Sequence, residues 1–229
     1  MKLRILIVDD HEIVRQGLVS ILQGHDDWEV CGEASDGRSA IEKSRELKPD
    51  IVIVDLGMPN LNGLEATRQI VHQNPQIGVL VLSIDESEQT MREALNAGAR
   101  GFVLKSDAGR DLVAAVEALR RKRTFFTAKL ADLVLSGFLN PDALASGRSA
   151  ERDPLTRRER EVVQLLAEGK TTKDVAVILD MSVKTAETHR SNIMRKLKLH
   201  SVSELVLYAV RNNIVQVPAP LTSMQAGAA

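Results

Sequence analysis

Through its first 126 residues the chain alternates unbroken apolar runs with stretches whose apolar residues recur every three or four positions. The runs are Leu3–Val8, Trp28–Ala34, Ile51–Val54, Ile77–Leu82 and Gly101–Leu104. Such runs predict strands buried on both faces, as in a parallel sheet. The intervening stretches predict helices through Val14, Leu18, Ile21 and Leu22, then over Ser39–Leu47, Leu64–His72, Ser87–Ala97 and Gly109–Lys122. Strands in strict alternation with helices predict a doubly wound five-stranded parallel sheet of flavodoxin-like type, with helices on both faces. From residue 155 the period changes to that of helices alone. Four are predicted: Arg157–Glu168, Thr172–Leu179, Val183–Leu197 and Ser201–Asn212. Gly169 ends the first, and Asp180-Met181-Ser182 makes a tight turn before the third.

The predicted organisation is an α/β domain over 1–126, a linker over 127–153, an all-α domain over 154–212 and a disordered tail over 213–229. The linker holds a short amphipathic stretch with Leu130, Leu133, Val134 and Phe138, then a segment rich in Pro, Gly, Ser and Ala. Net charge is −1 overall, but that average hides a split. Residues 1–126 carry 16 Lys and Arg against 20 Asp and Glu, whereas 154–212 carry 11 against 7. An acidic front and a basic back predict two domains with different partners. The single cysteine, Cys31, rules out an internal disulfide and fits a reducing cytoplasm. It sits in a strand pattern and is expected to be a small core residue rather than a nucleophile. No apolar run is long enough to span a bilayer, so no membrane partner is expected.

The third run ends on Asp55, and Pro59 and Gly63 mark a turn into the next helix. In open α/β sheets ligands bind outside the carboxyl ends of the strands. Asp9 and Asp10 end the first run, Ser83 follows the fourth and Lys105 the fifth. With the first and third strands as neighbours, three carboxylates converge and repel, a repulsion that a divalent cation relieves. Oxygen ligands with few protein contacts suit Mg²⁺ (or Mn²⁺). Acids, a hydroxyl and an ammonium at one rim suit a phosphoryl group, with Asp55 attacking in line to give an acyl phosphate. Taken singly, each residue has a plainer role: Asp10 as a helix cap, Lys105 as a solvated cation. It is the joint occurrence at four strand ends that favours the site.

Val8-Asp9-Asp10, Asp55-x-x-Met58-Pro59-x-x-x-Gly63, Leu82-Ser83 and Gly101-Phe102-Val103-Leu104-Lys105 resemble the receiver domain of two-component response regulators. The resemblance implies that Asp55 is the phosphoacceptor for a histidine kinase. It implies that Asp10 ligates Mg²⁺ directly, Asp9 mainly through water, and Gly57 through its carbonyl. Ser83 and Phe102 would be the switch residues and Lys105 the partner of the phosphoryl group. Many receivers follow the Lys with Pro; here Ser106 stands there.

In the helical half, Leu155-Thr156-x-Arg158-Glu159-x-Glu161-Val162, Ala167-Glu168-Gly169-Lys170 and Ser182-Val183-Lys184-Thr185-x-x-x-His189-x-x-Asn192-Ile193-x-x-Lys196-Leu197 resemble the LuxR-type helix-turn-helix. Around Val183–Leu197 at helical spacing, Ala186, Ile193 and Leu197 share one face, while Lys184, Thr188, Ser191 and Arg195 share the other. Short polar residues among basic ones suit a helix in a major groove. The resemblance implies that Thr172–Leu179 is the scaffold helix and Val183–Leu197 the recognition helix. Glu187, Thr188 and Ser191 would face base edges. Lys173, Lys184, Thr185, His189, Asn192 and Lys196 would hold phosphates, with His189 and Asn192 open also to a packing role. Arg195 belongs to the same basic face.

A receiver followed by this motif is the order of NarL/FixJ-type response regulators. The expected protein is a regulator of transcription, not an enzyme. Its expected partners are a histidine kinase, double-stranded promoter DNA, RNA polymerase and, when active, a second copy. A regulator that binds DNA without phosphorylation is the alternative. A phosphohydrolase usually adds a second acid just after the nucleophile, and Gly57 argues against it.

Overall fold

The computed structural model describes residues 2–126 and 154–215. The amphipathic stretch at 128–139, most of the predicted linker and the tail from 216 lie outside these residues.

The strands are β1 (Leu3–Val8), β2 (Trp28–Ala34), β3 (Ile51–Asp55), β4 (Gly78–Ser83) and β5 (Gly101–Leu104). Between and after them run α1 (Glu12–Leu22), α2 (Gly37–Leu47), α3 (Gly63–Gln73), α4 (Glu88–Asn96) and α5 (Ala108–Arg120). All pairings are parallel, in the order β2-β1-β3-β4-β5. Each predicted strand and helix is present, with ends shifted by one or two residues. The period of two divides the sheet between two cores. Leu6, Val8, Val52, Val54, Val79, Val81 and Phe102 pack on one face, against Ala40 of α2, Ile70 of α3 and Met91 of α4. Ile5, Ile7, Ile51, Ile53, Leu80, Leu82 and Val103 pack on the other, against Leu18 of α1 and Leu112 and Val116 of α5.

The edge strand β2 carries an irregularity where Ile5 pairs Val30 and Leu6 pairs Gly32. Cys31 is the residue passed over. It is half-buried, packs against the core, and burial pushes its thiol pKa up, which makes it a poor nucleophile.

The helical half comprises α6 (Arg157–Ala167), α7 (Thr172–Ile178), α8 (Val183–Leu197) and α9 (Val202–Arg211). Each begins on a hydroxyl cap: Thr156 and Thr171 in capping boxes with Glu159 and Asp174, then Ser182 and Ser201. Gly169, at φ +84°, turns the chain out of α6, and Asp180, at φ +49°, turns it between α7 and α8. A third core holds Val162, Leu165, Val175, Ala186, Ile193, Leu205 and Ala209. Among the described residues no helix is long and apolar enough to cross a membrane.

Candidate functional site

The order of the strands puts β1 between β2 and β3, so Asp9 and Asp55 leave the sheet side by side. The carboxylates of Asp9, Asp10 and Asp55 and the imidazole of His11 each offer an atom within 4.8 Å of the others. Lys105, just past β5, reaches back to both buried acids. Its Nζ lies 2.8 Å from Asp9 Oδ2 and 3.0 Å from Asp55 Oδ1.

Electrostatics here are set by burial. Asp55 is 5% exposed, and burial pushes its pKa up; Asp9 adds to the rise, and Lys105 opposes it without cancelling it. Burial alone would lower the Lys105 pKa, but Asp55 and Asp9 outweigh it and the net direction is up. One ammonium therefore serves two acids, with Asp10 adding a third carboxylate.

The pocket fits a hard divalent cation. Asp9 Oδ2 and Asp10 Oδ1 are buried and accept no well-aligned hydrogen bond, although Lys105 Nζ and His11 Nδ1 each stand 2.8 Å away. Carboxylate oxygens left in that state are suited to metal coordination. Asp10 does not cap α1: the cap position is His11, which offers no side-chain bond. His11 instead donates its backbone N–H to Asp9 Oδ1 at 2.9 Å and brings Nδ1 to 2.8 Å from Asp10 Oδ1. Sequence reading assigned His11 no role, because a His after two acids has no spacing signature.

Gly63 holds the loop after β3. A Cβ there would stand 1.9 Å from the Asp55 carbonyl oxygen, while the Gly63 N–H donates to Leu56 O at 3.0 Å. Only a residue without a side chain lets the loop close on Asp55. Ser83 is fully buried; its Oγ accepts from the Asp85 N–H at 2.9 Å and donates to Asp85 O at 3.2 Å. Phe102 is 1% exposed and lies in the core between sheet and helices.

On α8, Ala186 and Ile193 are fully buried and Leu197 half-buried, as their helical spacing predicts. Lys184, Thr185, Glu187, Thr188, Ser191, Arg195 and Lys196 are exposed, as is Lys173 on α7. Four of them, Arg195 included, are engaged within the helical half. Thr185 bonds the Ser182 cap, Thr188 Oγ1 donates to Lys184 O at 2.9 Å, and Lys196 Nζ pairs with Glu159 Oε2 at 2.7 Å. His189 and Asn192 are half-buried, and Asn192 Oδ1 accepts from Arg195 at 2.9 Å.

The two halves are docked through α6 and the residues just past α9. Gln164, 2% exposed, donates Nε2 to Met58 O at 3.0 Å and accepts from the Asn62 N–H at 2.9 Å. Both Glu168 carboxylate oxygens lie 3.2 Å from the Asn60 N. Asn62 Nδ2 donates to Ile214 O at 2.9 Å, and Asn213 Nδ2 to Thr90 Oγ1 at 3.0 Å. Glu161, buried, takes Arg38 at 3.1 Å across the seam and Arg158 at 2.8 Å from its own helix. A cavity of about 210 Å³ lies at this seam. Asp10, Gly57 and Met58 line it from one half, Gln164 and Glu168 from the other. Sequence reading missed this seam. Glu161 and Gln164 are polar residues on an amphipathic helix, and nothing in their spacing says a second domain covers them.

Comparison with known proteins bears on both halves. Residues 5–117 match the family described as response regulator receiver domain, and residues 153–209 match bacterial regulatory proteins, luxR family. The response regulator protein VraR of Staphylococcus aureus is 35% identical over 222 residues, spanning 94% of this chain and 100% of VraR. A structure of the Salmonella typhimurium RcsB response regulator is 26% identical, with a TM-score of 0.60 over 92% of this chain and 98% of that one. The RcsB–DNA complex is likewise 26% identical, with a TM-score of 0.55 over 93% and 99% of the two chains. With its halves matched in that order and VraR alike along nearly the whole length, the chain belongs to the response regulators that join a receiver domain to a LuxR-type helix-turn-helix.

Proposed function

We propose that Asp55 accepts a phosphoryl group from a histidine kinase and that this controls binding of promoter DNA by α8. The observation that carries the reading is the convergence of Asp9, Asp10, Asp55 and Lys105 at one rim of the sheet. In the transfer, a P–N bond to the kinase histidine breaks as a bond from phosphorus to an Asp55 oxygen forms. Lys105, already 3.0 Å from Asp55, pairs with the incoming phosphoryl oxygens. Asp9, Asp10, Asp55 and the Gly57 carbonyl would hold Mg²⁺ (or Mn²⁺), which would neutralise charge on the phosphoryl group. Ser83 Oγ leaves its contacts with Asp85 for that group, and Phe102 follows into the space released.

On the output side, exposed Lys184, Thr188, Ser191 and Arg195 form the face offered to a major groove. Lys173, Lys184, Thr185, His189, Asn192 and Lys196 hold phosphates, Lys196 after leaving Glu159. Glu187, Thr188 and Ser191 read base edges. Val202 and Leu207 of α9 are 43% and 54% exposed, which leaves apolar surface for a second copy on DNA with two-fold symmetry. RNA polymerase is a further partner, and the cytoplasm the place of action.

The test is DNA binding by the wild type and Asp55→Ala, each with Mg²⁺, with and without a small phosphodonor. The donor should tighten binding of the wild type alone. Equal binding in all four conditions would leave the DNA-reading role standing and favour the phosphorylation-independent alternative.

A further inference from the structure

We infer that the phosphorylation pocket is a two-domain site, in which Glu168 of the helical half gates the entry of anionic phosphodonors. The inference rests on Asp55 being the phosphoacceptor.

Three observations combine. First, Glu168 and Asp10 line one cavity, with Gly57 and Met58 between them. The helical half is thus a wall of the pocket beside the acids. Second, the hydrogen bonds of Glu168 do not need its charge. It accepts from the Asn60 N–H and from Gln164 Nε2 at 2.7 Å, and a glutamine oxygen could accept both. Among the described residues no basic side chain pairs with it. Third, Asp10 belongs both to this cavity and to the adjoining cluster, where Asp9, Asp10 and Asp55 meet the single ammonium of Lys105. A further carboxylate in the cavity beside that cluster repels a donor that approaches through it as an anion.

The docking has a direction as well. Seam contacts come from α6 and the residues just past α9, while the exposed side chains of α8 bond only within the helical half among the described residues. The docked half therefore acts first on the pocket. Gln164 fixes the loop at Met58 and Asn62, and Glu168 fixes it at Asn60. Both are positioning residues for a reaction on the other domain. Because linkage is reciprocal, a ligand that favours the undocked form opens the pocket to donors.

The experiment is phosphorylation of the full chain by two small donors with Mg²⁺ present, followed by intact mass. Acetyl phosphate is a dianion near neutral pH; phosphoramidate carries less net negative charge. In either case phosphorus bonds to an Asp55 oxygen, and acetate or ammonia departs. Glu168→Gln keeps shape and hydrogen bonding while removing charge. It should speed labelling by acetyl phosphate roughly two- to tenfold, and labelling by phosphoramidate clearly less. The difference should shrink in high salt. Unchanged labelling in Glu168→Gln, or an equal gain for both donors, would overturn the gate and leave Asp55 as the acceptor. Absence of label on the wild type with either donor would overturn the acceptor reading itself.

Discussion

Asp55 carries a conflict that its neighbours relieve only in part. Burial raises its pKa and Lys105 fails to bring it back, so the ionised form is disfavoured in the folded chain. An acid whose folded pKa is raised adds stability below its unfolded pKa and loses it as pH rises through the folded value. Asp55→Asn should therefore stabilise the metal-free protein at pH 7. Denaturant melts should show that gain vanishing below pH 4, about where unfolded aspartate titrates. Mg²⁺ should stabilise the wild type more than the variant; equal stabilisation would place the cation elsewhere. The acids, the hydroxyl and the ammonium were legible because each sits where an apolar run stops, and strand ends are where this fold collects its chemistry. The partner of Ser83 was not, since its bond to Asp85 depends on how the loop after β4 folds.

Single positions decide how the elements meet. At Gly63 a methyl group would be driven into the Asp55 carbonyl, against backbone that has no room to yield. Gly63→Ala should destabilise the receiver by about 3 kcal/mol or more, and near-wild-type melting would show that the loop can reopen. Helix α8 divides its work by face. Lys184→Ala should weaken binding to every sequence and flatten its salt dependence, because a phosphate contact is lost. An unaltered slope would remove Lys184 from those contacts. Thr188→Ala should alter preference at one position of each half-site, and an unaltered profile would move base reading elsewhere on the helix. The buried side of this helix could be read from sequence because Ala186 and Ile193 recur at helical spacing. The engagement of Lys196 by Glu159 could not. Those residues lie on different helices, and a basic residue in a polar face looks the same whether it meets solvent or an acid.

At the scale of the molecule, the seam is polar. Glu161 is one of its buried charges, held by Arg38 across the seam and by Arg158 beside it. Glu161→Ala would leave both guanidiniums without that partner and should part the halves. Small-angle scattering should then show a larger radius of gyration, and the same increase should follow phosphorylation of the wild type. No increase in either case would mean that the halves work without separating. Both domains could be read from the change in hydrophobic period near residue 155, because that period reports each core separately. Their docking left no such trace. It relies on backbone amides and carbonyls around Asn60 and Asn62, which any sequence possesses.

That last feature separates what can change from what cannot. The residues that grip this loop, Gln164 and Glu168, belong neither to the acid cluster nor to the exposed face of α8. Substitutions at these two positions would alter how readily a stimulus becomes a response, with the acid cluster and the choice of target sites untouched. A lineage bearing this architecture could thus reset its threshold to a new habitat in one or two mutational steps, without relearning either of its languages.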